Sequence, residues 1–182
     1  LASLPEQDRT LLAGLLEFQL PVEFAVIQEV FAERAEAELR GILRRAAGLG
    51  LAEEETDHGE QLYRVSHILE PLLEPNRPAD AAAFVRQAAQ TLHRVWWQRG
   101  KPLSERQELE ILRLAQKARL GEIIVPVADR IGTRWLNGHR YREAASLYEK
   151  ALAIAGRDYR LLGGLGRARQ ILGDGEAAAQ LL

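Results

Sequence analysis

From Arg134 to Leu182 the chain repeats itself, and the period of that repeat is the strongest limit on its fold. A shift of 34 residues lays Ile131-Gly132 over Leu165-Gly166, Ala144 over Ala178, and Leu147-Tyr148 over Leu181-Leu182. A period of this length is one helical hairpin, too small to bury its apolar face alone, so successive copies must stack. The residue types fit that demand. Small residues at Gly132 and Ala144 let two helices approach closely, while Trp135 and Tyr148 fill the wedge beside them. By the same register Leu182 falls inside the second helix of an incomplete copy. The chain also starts at Leu1 and lacks methionine, so a segment of a longer polypeptide is expected.

Ala128, Ile131-Gly132 and Trp135 in one helix, with Ala144, Tyr148 and Ala151 in the next, resemble the tetratricopeptide repeat. The resemblance covers about Val125 to Leu182, one full repeat and most of a second. Gly156 stands where that family often has proline, and Arg169 where a second tyrosine is usual. The resemblance implies a concave face lined by the first helix of each pair. Asp129, Thr133, Asn137, Arg160, Gly163, Arg167 and Gln170 would lie on it. Arg160 and Arg167 would suit an acidic peptide, such as a carboxylate terminus.

Ahead of the repeats the period changes twice. Leu11, Leu12, Leu15 and Leu16 predict a helix over Pro5 to Phe18. Pro21 breaks it, and Phe24, Ile27, Val30 and Phe31 predict a second. Leu39, Ile42, Leu43 and Ala46 mark a third, with Gly48 or Gly50 as its stop. "LAEEETDHGEQLYRV" reads as two short strands about Asp57-His58-Gly59, and "SHILEPLL" as a short helix capped by Ser66. Three helices and a β-hairpin over residues 1–75 predict a winged-helix domain. Prolines 71, 75 and 78 place a boundary after it. Residues 76–124 read as a helical-pair spacer or degenerate repeat. Its first helix carries Phe84, Val85, Ala88, Leu92 and Val95 and ends near Gly100. Its second opens at a Ser104/Gln107 capping box, with Leu109, Leu112, Ala115 and Leu120 as its stripe. The expected architecture is mainly α: a winged-helix domain, then antiparallel helical hairpins, with tetratricopeptide-like repeats over 125–182.

Charge divides the same way. Residues 1–75 hold 15 acidic and 6 basic residues, a balance of −9, and residues 76–182 hold 11 and 18, a balance of +7. A module at −9 is repelled by a phosphate backbone, so DNA binding is not expected even though the third helix carries Arg40, Arg44 and Arg45. Enzyme signatures are missing: "GGLG" at 163–166 lacks the following Lys-Ser/Thr, and no serine sits in a nucleophile elbow. The histidines at 58, 67, 93 and 139 lack metal-ligand spacing, and there is no cysteine to form a disulfide or thiolate site. Glu53-Glu54-Glu55 reads as a solvated run at a strand end. Of the adjacent Trp96 and Trp97, which point about 100° apart on a helix, one should be core and the other a junction cap or partner anchor. No secretion signal or membrane span is evident, and a cytoplasmic protein is expected.

An acidic winged helix, a helical spacer and repeats, in that order, resemble the C-terminal half of STAND signalling NTPases. "LPVEFAVIQEVF…LRRAAGLGLAEEE…QLYRVSHILEPLL" is similar to their winged-helix text. Ser66-His67-Ile68-Leu69 falls where that family often opens its last helix with a Met-His-Asp-Leu-like sequence, though Ile68 replaces the acidic residue. The resemblance implies that a nucleotide-binding domain precedes the segment and that His67 contacts the β-phosphate of ADP there. ADP or ATP would then be a ligand of the full-length protein and no cofactor would belong to this segment. Partner contacts would fall on Asn137, Arg160, Arg167 and Trp97. A winged-helix transcription regulator with a repeat-type effector domain, and a stand-alone tetratricopeptide adaptor, are the alternative readings.

Overall fold

The computed structural model describes residues 4–57, 59–98 and 102–173. The protein is mainly helical, with nine α-helices and one three-stranded antiparallel sheet among the described residues. Two compact units divide it, Leu1–Val95 and Trp96–Leu182. No described helix is long and apolar enough to cross a membrane. His58, Gly100 and the expected second helix of the last repeat, with Ala178, Leu181 and Leu182, lie outside the described residues.

In the first unit, α1 (Glu6–Leu15), α2 (Phe24–Val30) and α3 (Glu36–Gly48) surround a core containing Leu11, Leu12, Ile27, Leu39, Ile42 and Leu43. Removing those side chains from water is the main stabilising term for the unit. One buried charge ties α1 to α3: Asp8 accepts hydrogen bonds from Arg45 Nε (3.1 Å) and Nη2 (2.8 Å). Helix α3 stops at Gly50, whose φ of +69° suits a residue without Cβ. There the Leu51 N–H closes on the Ala46 carbonyl at 2.9 Å.

The expected hairpin is β2 (Ala52–Asp57) against β3 (Glu60–Val65), in register from Ala52 opposite Val65 to Asp57 opposite Glu60. A third strand was not anticipated. The two-residue β1 (Val22–Glu23) pairs with Tyr63 and Leu62, giving the order β1-β3-β2. Pro21-Val22-Glu23 is too short to show alternation, and only pairing with β3 makes it a strand. After β3 come a 3₁₀ turn at His67–Leu69, α4 (Glu70–Leu73) and a further 3₁₀ turn at Glu74–Asn76. Ser66 holds the cap position without a side-chain capping bond, so the expected cap is geometric only.

The largest departure concerns α5 (Ala81–Leu92), which runs on as a π-helical turn, His93–Trp97. The prolines interrupt helix, and the compact unit runs on past them to Val95. The cause is packing. The Phe84 ring lies 5.4 Å from that of Phe31, and a Cβ on Gly14 would come within 2.8 Å of Phe31 and 2.9 Å of Phe84. Gln87 donates to the Glu29 carbonyl at 3.1 Å, and Arg94 pairs with the Glu29 carboxylate. Thus α5 packs on α2 as part of the N-terminal core. Truncating Phe84→Ala is expected to destabilise this unit by about 3–5 kcal/mol. Denaturant unfolding followed by amide exchange in α1–α3 would measure the loss.

In the second unit α6 (Glu105–Lys117), α7 (Gly121–Asn137), α8 (Tyr141–Ala155) and α9 (Tyr159–Ile171) pack antiparallel in sequence, with α9 also reaching α7. The capping box at the start of α6 is complete: Ser104 Oγ accepts from the Gln107 N–H at 3.3 Å, and Gln107 Oε1 from the Ser104 N–H at 3.0 Å. Helices α6 and α7 end alike, at Arg119 (φ 56°) and His139 (φ 61°). The following N–H bonds back to Ala115 O at 2.9 Å and to Trp135 O at 2.8 Å. These are tight left-handed stops that point each helix back along its predecessor.

Candidate functional site

The wedge expected at Tyr148 is present, with a second wall. Tyr148 is fully buried, and its ring lies between Gly132 on α7 and Gly164 on α9. A Cβ on either glycine would fall inside the van der Waals envelope of that ring. The 34-residue register pairs Gly132 with Gly166, yet Gly164 takes the contact. A register compares equivalent positions, whereas Tyr148 bridges the α7–α8 pair to α9. Its Oη is buried without a hydrogen bond of good geometry. Burial pushes the phenol above its usual range, the charge of Asp129 adds to this, and Thr133 and Arg167 partly offset it. Gly164→Ala is expected to destabilise the unit by about 1–3 kcal/mol through overpacking. Adding Tyr148→Leu should return part of the loss, a non-additivity read from thermal unfolding of the single and double variants.

Around that lock the α7–α9 flank carries the positions expected on a concave face. Thr133, Asn137, Arg167 and Gln170 are exposed, and Asp129 and Gly163 are half-buried. Arg160 is exposed but engaged. Its Nε and Nη2 lie 3.3 Å from Asp158, the residue that caps α9 by accepting from the Arg160 N–H at 2.9 Å. That pairing holds the Asp158 carboxyl below its usual range. Arg167 is therefore the more available cation of the expected pair. Trp96 is buried and Trp97 half-buried, as their angular separation requires. The Arg130 guanidinium lies 4.8 Å from the Trp97 ring centroid, so Trp97 is stacked beneath a cation rather than presented as an open anchor.

Arg130 leads to the charged seam between α6 and α7, which the sequence did not reveal. Glu108 is completely buried. It accepts from Arg134 Nη1 at 2.6 Å and Nη2 at 2.9 Å, and pairs with Arg130 Nε at 2.9 Å. Two cations on one buried carboxylate supply the compensation its desolvation demands. Nearby, Glu105 accepts from Trp135 Nε1 at 3.0 Å and from Arg140 Nη1 at 2.9 Å, while the Arg140 guanidinium covers the Trp135 ring at 4.3 Å. The Arg140 hydrogen bond, foremost, holds the Glu105 carboxyl below its usual range, with Trp135 assisting. A depressed carboxyl stabilises the fold above the ordinary glutamate pKa of about 4.3, and this is lost as pH falls through the folded value. Between about pH 5 and pH 3 the unfolding midpoint of Glu105→Gln should therefore fall less than that of the parent chain.

On the other flank of this seam a groove of about 640 Å³ opens between α6 and α8, with Trp135 of α7 contributing to its wall. Leu109, Leu112 and Leu147 supply the apolar lining, and Arg113, Arg142, Glu143 and Lys150 the charge. Leu109, expected in the core stripe, is half-buried and belongs to this lining.

His67 is exposed at the first position of its 3₁₀ turn. Ile68 beside it is 86% exposed and Leu72 is 61% exposed, an unusual pair of large apolar side chains to leave in water. On α3, Arg40 bonds to Glu36 at 2.9 Å and covers the Phe24 ring at 3.8 Å, while Arg45 is engaged by Asp8. Two of the three arginines on α3, Arg40 and Arg45, are thus engaged within the protein. Among the described residues no three His, Asp or Glu side chains cluster as a metal site.

No protein-family model, curated protein or solved structure matches the chain.

Proposed function

We propose that the chain is a regulatory and protein-interaction segment of a STAND-type signalling ATPase. In this reading residues 1–75 form a winged-helix relay. Residues 76–124 link it to the sensor, with α5 packed on the relay, and residues 125–182 are tetratricopeptide-like repeats that sense or recruit a protein partner. The observation that carries it is the Tyr148 ring held between Gly132 and Gly164, because it locks consecutive hairpins into a stack. That stack leaves Thr133, Asn137 and Arg167 exposed along α7 and α9. A peptide partner laid there would meet hydroxyl, amide and guanidinium groups, a set suited to peptide backbone and carboxylate.

The N-terminal relay draws support from the exposed His67, Ile68 and Leu72 just beyond the hairpin. Two apolar side chains beside an imidazole suit a contact surface for a preceding nucleotide-binding domain, with His67 reaching the β-phosphate of ADP. Effector binding on the repeats would then act by differential affinity for closed and open states. The chemistry of ATP hydrolysis would belong to the preceding domain, and this segment would carry no catalytic residue. The commitment of Arg40 and Arg45 to internal partners weighs against the DNA-binding alternative.

The test is His67→Ala in the full-length protein. Faster ADP release and raised basal activity, with an unchanged unfolding midpoint, are expected. Unchanged ADP retention would remove the relay role. A start codon immediately before Leu1 in the gene would favour the stand-alone adaptor instead.

A further inference from the structure

The groove between α6 and α8 lies on the flank of α7 away from the Thr133 ridge, since Trp135 and Thr133 stand about 200° apart on that helix. The proposed partner face therefore does not account for it. Its lining is apolar at Leu109, Leu112, Leu147 and the Trp135 edge. Its volume of about 640 Å³ is enough to seat a few large side chains.

The charges on its rim are unequal. Arg113 is bonded to the buried Glu110 at 2.8 Å through both Nε and Nη2, and Glu143 is held by Arg140 at 3.3 Å. Those four groups are balanced within the protein. Arg142 and Lys150 remain, both exposed and neither in an ion pair with any described residue. They are eight residues apart on α8, about 12 Å along its axis and about 80° around it, and both line the groove. Between them the helix offers Ser146 and Leu147 to the groove.

We infer that this groove docks an acidic amphipathic helix of a protein partner. The partner's apolar side chains, spaced at about three and four residues, enter over Leu109, Leu112 and Leu147. Two carboxylates about seven or eight residues apart on that helix meet Arg142 and Lys150. The apolar floor supplies burial, and Arg142 and Lys150, in no ion pair among the described residues, select for acidic partners and set the direction of docking. The inference is independent of whether an ATPase domain accompanies the chain, because it uses only α6, α7 and α8.

The test is selection of binders from a random peptide display library against the chain, and against its Arg142→Glu/Lys150→Glu double variant. Both positions are exposed, and an unchanged thermal midpoint verifies that the variant folds. Enrichment of peptides with helical apolar spacing and paired Asp or Glu is expected. Their affinity should fall by about tenfold or more in the double variant and weaken with added salt. Selection on the double variant should turn to basic peptides. No enrichment, enriched peptides without an acidic bias, or affinity indifferent to the double substitution would overturn the proposal. So would self-association of the chain in sedimentation that is abolished by Leu109→Glu, which would assign the groove to a second copy.

Discussion

An aromatic ring pressed between two glycines sets the geometry of the C-terminal unit. Tyr148 touches α7 at Gly132 and α9 at Gly164, so a single side chain fixes the spacing of three helices. Two effects of opposite sign meet there. Glycine within a helix costs roughly 0.5–1 kcal/mol relative to alanine, and two are spent on this contact. Full burial of a tyrosine ring returns more than that, since aromatic side chains bury some 150–250 Å² each. The placement of Thr133, Asn137 and Arg167 on one flank follows from this spacing.

Helix α6 is held differently. Its inner face carries Ile111, Leu114 and Ala115, but its register on α7 is marked by carboxylates: Glu108 clasped by Arg130 and Arg134, and Glu105 by Trp135 and Arg140. Apolar packing alone tolerates sliding, whereas a bidentate carboxylate–guanidinium pair has one good position. With register fixed by charge, Leu109, Leu112, Arg113 and Gln116 of α6 line the gap toward α8. The same device recurs in the N-terminal unit, where Arg45 and the buried Asp8 tie α3 to α1.

Features that depend on near neighbours were legible in the sequence. The Ser104/Gln107 box, a stop at Gly48 or Gly50, the hairpin strands and the small-residue positions Gly132 and Ala144 all follow from local spacing. Features that depend on distant partners were not. Strand β1 exists because β3 lies beside it, and α5 joins the first unit because Phe84 finds Phe31 and Gly14. Prolines 71, 75 and 78 report where helix fails, which differs from where a core ends. Of the candidate site, the exposed ridge at Thr133, Asn137 and Arg167 could be read from the repeat. The engagement of Arg160 by Asp158 and of Trp97 by Arg130 could not, nor could the groove, which is made by two helices that are not consecutive.

The ring between Gly132 and Gly164 also governs how this part of the chain can change. A methyl group added at either glycine meets the ring, and a smaller residue at position 148 leaves a void between two helices. Each single step away from the present trio is therefore uphill, although a combined replacement could be sound. Change at these three positions is held in a local optimum, while exposed positions such as Thr133, Asn137, Arg142, Lys150 and Arg167 stay free to vary without disturbing the stack.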